Sequence, residues 1–140
     1  MRTMSLLIAG SILASCNVAP PPPGAPGAPL RSPSGQRAFE SLISGRVAGQ
    51  PISCLPTYHQ NDMSIIDGQT IAFRSTSRTS YMVKLTPGCE LLDAGHYALL
   101  SRQFGGAQLC RGDIQQVTDL TNHITVGSCT VAAIIPYTRP

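Results

Sequence analysis

Residues 66–85 read IDGQTIAFRSTSRTSYMVKL, and this stretch decides the fold. Thr70 to Ser75 alternates, with Ile71 and Phe73 on one face. Thr76 to Thr79 form a polar turn, and Tyr81, Val83 and Leu85 then alternate again. A period of two marks a half-buried strand, and two such runs around a short turn make an antiparallel hairpin. Just upstream, Met63, Ile65 and Ile66 sit in a further strand over His59 to Asp67. Asp67-Gly68 is the dipeptide that suits a two-residue type I′ turn. Working outward, Ile52 to Leu55 begin a strand that Pro56 stops, and Pro87-Gly88 ends the Tyr81 strand. Tyr97 to Arg102 form another, before a turn at Gly105-Gly106. Leu109 leads to Cys110, the Arg111-Gly112-Asp113 turn precedes a strand over Ile114 to Val117, and Thr125 to Ile135 is the last. Only Phe39, Leu42, Ile43 and Val47 fall at helical spacing, and Gly45 and Gly49 limit them to one short helix, a lid on the domain. About seven short strands without long intervening helices imply a mainly β fold, a small antiparallel β-barrel or sandwich with one short N-terminal helix.

Composition narrows the class. The chain has 140 residues, 12% of them charged, a net charge of +3 and no Trp. That length allows one domain and excludes a multidomain enzyme or a full dinucleotide-binding unit. The small net charge excludes a strongly basic nucleic-acid binder, so no nucleic-acid partner is expected. Five cysteines are an odd number. Four of them, Cys54, Cys89, Cys110 and Cys129, fall in the strand-rich part, with gaps of 35, 21 and 19. Structural zinc sites pair ligands two to four residues apart, so these gaps argue for two disulfides rather than a metal site. Three connectivities are possible. Barrel closure, which brings the first strand to the last, favours Cys54–Cys129 with Cys89–Cys110.

The fifth cysteine belongs to the N-terminus. Residues 1–15 read MRTMSLLIAGSILAS, with Arg2 followed by an apolar run from Leu6 to Ala14. The run is too short to span a bilayer and suits a signal-peptide core. It ends in Leu13-Ala14-Ser15-Cys16, which resembles the lipobox of bacterial lipoproteins. The resemblance implies that Cys16 receives a diacylglycerol and becomes the first residue of an acylated chain. Asn17, in place of Asp, implies sorting to the outer membrane, with the domain facing the periplasm. Residues 16–37 then form a lipidated Cys and a Pro-rich tether, since seven of the twelve prolines lie between Pro20 and Pro33. Such a stretch buries too little apolar surface to fold, and in polyproline II form it spans up to about 65 Å. Residues 38–140 are the disulfide-stapled β-domain.

A wider resemblance runs through that domain. Arg46-Val47-Ala48-Gly49, Ile52-Ser53-Cys54-Leu55, residues 66–74 (IDGQTIAFR), Gly88-Cys89, residues 109–114 (LCRGDI) and Val126-Gly127-Ser128-Cys129 occur in this order. The series resembles a family of small exported proteins of proteobacteria, many of them lipoproteins, which has no established activity. It implies export and paired cysteines, and nothing about mechanism. Glu90-Leu91-Leu92 departs from the Pro-Gly-Leu run expected after the cysteine, which leaves that turn open.

Catalytic sets are sparse. His59 with Asp62, or His96 with Asp93, would make acid/base pairs, and His123 stands apart; none adjoins a GxSxG elbow. Glu90 with Asp93, or Asp113 with Asp119, are the candidate carboxylate pairs for glycosidic cleavage. Arg111-Gly112-Asp113 spells an adhesion tripeptide, although a tight turn accounts for it equally. Tyr81 and Tyr97 belong to packing, and Tyr58 and Tyr137 complete a candidate sugar-binding set. Arg74, Arg78, Arg102 and Arg111 flank two hairpins and form the candidate binding face, with Lys84 nearby. The expectation is a cell-envelope lipoprotein acting as a non-catalytic binding or structural module. No catalytic residue, metal or cofactor is assigned. Its partners are the membrane, through the lipid, and an envelope protein or glycan. The alternatives are a small hydrolase-like enzyme using a His, or an inhibitor using the loop from Arg102 to Gly106.

Overall fold

The computed structural model describes residues 30–56, 63–102 and 108–140. Cys16, the signal and most of the tether lie outside them, as do His59 and the Gly105-Gly106 turn. The domain is mainly β, an antiparallel sheet curled into a half-barrel, with one α-helix and two disulfides.

The helix α1 spans Pro33–Ile43. Residues 33–37, expected in the tether, are therefore folded. Ser32 is the N-cap, its side chain accepting from the Gly35 amide at 3.1 Å, and Pro33 occupies the first turn. Proline suits that position because its missing N–H has no intrahelical partner to lose. Gly35 is needed for close approach: a Cβ there would stand 1.9 Å from the Ile66 carbonyl oxygen. Gly45, at φ +63°, turns the chain out of the helix. Val47 is thus not a helical residue. It lies in β1 (Val47–Ala48) and is exposed.

The remaining strands are β2 (Cys54–Leu55), β3 (Met63–Asp67), β4 (Thr70–Arg74), β5 (Thr79–Leu85), β6 (Tyr97–Arg102), β7 (Leu109–Cys110), β8 (Ile114–Asp119) and β9 (Thr125–Thr138). A short 3-10 helix, Glu90–Ala94, leads into β6. The main sheet runs β3-β4-β5-β9-β8-β6, and β1 also pairs with β9. The hairpin in residues 66–85 forms as read, with Ile71 opposite Val83 and Phe73 opposite Tyr81. These side chains share the concave face with Leu85, Val117, Val131 and Ile134. Tyr81 is buried there and Tyr97 packs at its margin. The alternate residues Ala72 and Met82 face the other way, where Leu42, Phe39 and Ile43 of α1 cover them. Burial of Leu42 alone stabilises by about 1.5–3 kcal/mol. With both faces covered, four of the five β4 residues are buried.

The turn before β4 differs from the type I′ expectation. Asp67 pairs with Thr70, so Gly68 and Gln69 are the central residues. Neither has positive φ, which type I′ requires at both. The Asp67 carboxylate closes the turn by accepting from the Gln69 amide at 2.9 Å. Gly68 is instead required by packing, since a Cβ would lie 2.6 Å from the backbone of Glu90.

The disulfides are Cys54–Cys110 and Cys89–Cys129, which corrects the pairing expected from barrel closure. The first segment does reach the last strand, through Val47 opposite Thr138 and Ile52 opposite Ile134. That antiparallel register carries Cys54 toward Ala132, short of Cys129. β2 instead leaves β9 to pair with β7, where Cys54 stands opposite Cys110. Cys129 is met from the other edge of β9. Beyond β5, Thr86 donates to the Thr130 carbonyl at 2.9 Å, which brings Cys89 alongside. The loop-entropy relation gives about 4.2 kcal/mol for the first bridge and about 3.9 kcal/mol for the second, as upper values.

Candidate binding site

The four arginines expected to share a face do not all meet. Arg74 and Arg78 flank the β4–β5 turn, which lies beside Thr138 because Thr79 pairs with that residue. Arg102 pairs with Ile114, which in turn pairs with Thr130. Thr130 and Thr138 are about 26 Å apart along an extended strand. Arg111 bonds the Ala132 carbonyl at 3.2 Å, also well back along β9. Arg102 and Arg111 therefore belong to another part of the surface.

Two arginines that strand spacing did not single out replace them. Arg46 follows the end of α1, and its Nη1 donates to the carbonyls of Ser41 and Leu42 at 2.9 and 3.2 Å. It caps the electronegative helix end, where a cation is favoured. Its Nη2 crosses to the Ser77 carbonyl at 3.2 Å, and its Nε has no hydrogen-bond partner. Arg74 Nη2 donates to Ser41 Oγ at 3.0 Å on the same helix end. Arg139 joins from the end of β9, its amide donating to the Arg78 carbonyl at 2.9 Å. Desolvation first, then the charges of Arg139 and Arg74, lower the pKa of Arg46. The charges acting on Arg46 are thus themselves cations, and among the described residues none of these four side chains has an ion-pair partner within 4.0 Å. A cluster of this kind attracts anions.

The opposite end of α1 has the reverse character. Arg31 Nε meets Asp67 Oδ2 at 3.1 Å, and its guanidinium lies 4.0 Å from the centre of the Phe39 ring. Ser32 gives its amide and its hydroxyl to the two oxygens of Asp93, at 3.0 and 2.9 Å. Lys84 Nζ donates to Thr70 Oγ1 at 2.9 Å, and burial lowers its pKa against the opposing pull of Asp67. Here every carboxylate is matched, and the chain leading back to the tether is clasped in place.

The remaining candidates do not assemble. Asp93 is occupied by Ser32 and does not orient His96. His96 and His123 are exposed, whereas His59 and Asp62 lie outside the described residues. Asp113 and Asp119 sit at opposite ends of β8, roughly 20 Å apart, which exceeds either glycosidase spacing. Asp119 accepts from the amides of Thr121 and Asn122, which lower its pKa, and Glu90 is lowered by the Gly88 amide. Asp113 is buried and accepts from the Cys110 amide at 2.7 Å, so the tripeptide is a braced turn rather than a presented adhesion motif. Gly112, at φ +89°, makes that turn possible. Tyr137 packs beneath α1, and Tyr58 lies outside the described residues. Among the described residues no three metal-ligating side chains gather, and no helix is long and apolar enough to cross a membrane. No family model, curated protein or solved structure matches the chain.

Proposed function

We propose that this chain is a lipid-anchored protein of the bacterial envelope whose domain is a non-catalytic binding module for an anionic cell-wall glycan. The observation that carries the binding reading is the cluster of Arg46, Arg74 and Arg139, with Arg78 beside it in the chain, which has no ion-pair partner among the described residues. The Leu13-Ala14-Ser15-Cys16 lipobox supports the anchor, and two disulfides in one small domain support an oxidising compartment. The arginines lie away from the point where the tether enters the domain. The tether arrives at Arg31, at the start of α1, and the arginines gather at its far end. Eleven helical residues separate the two by about 16 Å. A glycan layer bearing carboxylates offers the charge that such a surface takes.

Cosedimentation with purified cell-wall sacculi tests this reading. The wild-type chain is expected to pellet at low salt and to be released as salt rises. Arg74→Gln combined with Arg139→Gln is expected to weaken pelleting several-fold. Equal pelleting of that variant would overturn the assignment. Fatty-acid labelling that persists in Cys16→Ala would overturn the anchor.

A further inference from the structure

The two disulfides occupy different surroundings. Cys89 and Cys129 are 1% and 4% exposed and sit inside the core. Cys54 and Cys110 are half-buried and line an open cleft of about 570 Å³. Arg111 and Gly112 form part of the same cleft wall. A disulfide is broken by a thiolate that approaches one sulfur while the other leaves as thiolate. The cleft gives an attacking group access to this bridge, and the neighbouring guanidinium favours thiolate over thiol. The core bridge has neither.

The backbone around Cys54 and Cys110 is held independently of their sulfur atoms. Arg111 N donates to the Ser53 carbonyl at 2.8 Å, and Gly112 N donates to the Val131 carbonyl at 2.9 Å. The Cys110 amide donates to Asp113 Oδ2, and the Cys110 carbonyl accepts from the Asp113 amide at 3.1 Å. Leu55 and Leu109, next to the cysteines and paired with each other, are buried in the core. Breaking the bridge therefore leaves two thiols facing one another on a paired ladder, ready to close again.

We infer that Cys54–Cys110 is a thiol–disulfide exchange site for a dithiol oxidoreductase, while Cys89–Cys129 is structural. In the exchange, a thiolate of the dithiol bonds to Cys54 Sγ and the Cys54–Cys110 bond breaks. Cys110 leaves as thiolate beside Arg111. The second thiol of the dithiol then loses its proton and attacks its partner sulfur, which releases Cys54. Two electrons pass to the bridge, two protons end on Cys54 and Cys110, and the oxidoreductase is left as a disulfide.

The test exposes the oxidised full chain to a reduced thioredoxin-type protein, with timed alkylation and peptide mass spectrometry. Cys54 and Cys110 are expected to label at least tenfold faster than Cys89 and Cys129, with the circular dichroism spectrum unchanged. Arg111→Gln is expected to slow that labelling several-fold and to leave the core bridge unaffected. A thioredoxin-type protein lacking its second cysteine is expected to be trapped on Cys54. Equal labelling of the two bridges, earlier labelling of Cys89 and Cys129, or no trapped adduct would overturn the inference. Glycan binding plays no part in this readout, so its outcome is independent of the proposed function.

Discussion

Replacing Gly35 by Ala separates a docked helix from a free tether. On helix propensity alone the change is favourable by about 0.5–1 kcal/mol. In this fold the added Cβ would meet the Ile66 carbonyl oxygen at 1.9 Å and its carbon at 2.9 Å. Ordinary carbon–oxygen contacts are roughly 3.3–3.6 Å, so α1 must retreat by about 1.4 Å or more. Ile66 lies where the β3–β4 register is interrupted, which turns its carbonyl against the helix. Retreat would loosen Leu42 from Ala72 and Met82 and pull Ser32 from Asp93. Overpacking of this kind costs about 1–3 kcal/mol, which outweighs the propensity gain. Thermal unfolding of the oxidised chain, followed by circular dichroism, is expected to show a midpoint roughly 5–15 °C lower. Arg37→Ala, on the exposed side of α1, is the control and is expected to stay within about 0.5 kcal/mol. An unchanged or raised midpoint for Gly35→Ala would show that residues 33–37 are not docked.

The other predictions concern the clasp, its lysine and the disulfides. Arg31→Ala removes the ion-pair partner of the fully buried Asp67 carboxylate, which keeps the Gln69 amide and the nearby Lys84, and a urea midpoint is expected to register a loss of about 2–4 kcal/mol, moderated because Arg31 is 22% exposed. Lys84 has a folded pKa below its ordinary value, so the unfolded chain binds more protons between those two values. Stability is therefore expected to rise with pH in the alkaline window below 10.5, and Lys84→Met to flatten that rise in urea titrations. A non-reduced digest is expected to yield peptides joining Cys54 to Cys110 and Cys89 to Cys129. Replacing both Cys89 and Cys129 by Ala is expected to cost up to about 4 kcal/mol.

The strands were legible because alternation is local. Ile71, Phe73, Tyr81, Val83 and Leu85 state their own period, and β4 and β5 formed where that period placed them. The start of α1 was obscured by composition. Pro33 and Gly35 continue a Pro/Gly-rich run, yet Ser32 with Pro33 is also the signature of a capped helix start. The cysteine pairing was not legible, because it depends on which edge of β9 each segment meets and where β2 departs from it. A shift of three residues along β9 separates the two outcomes. The arginine cluster was half legible. Arg74 and Arg78 follow from the hairpin, but Arg46 and Arg139 join them only through the pairing of β1 and β5 with the last residues of β9.

The claim that the far end of α1 is an anion-binding surface has a direct test. The oxidised, isotopically labelled chain is titrated with a soluble carboxylated cell-wall glycan fragment while amide resonances are followed. Shifts are expected to concentrate at Arg46, Arg74, Ser77, Arg78 and Arg139, to vanish at raised salt, and to spare Arg31, Asp67 and Asp93. Shifts centred on the clasp, or none at any residue of the arginine end, would contradict the account.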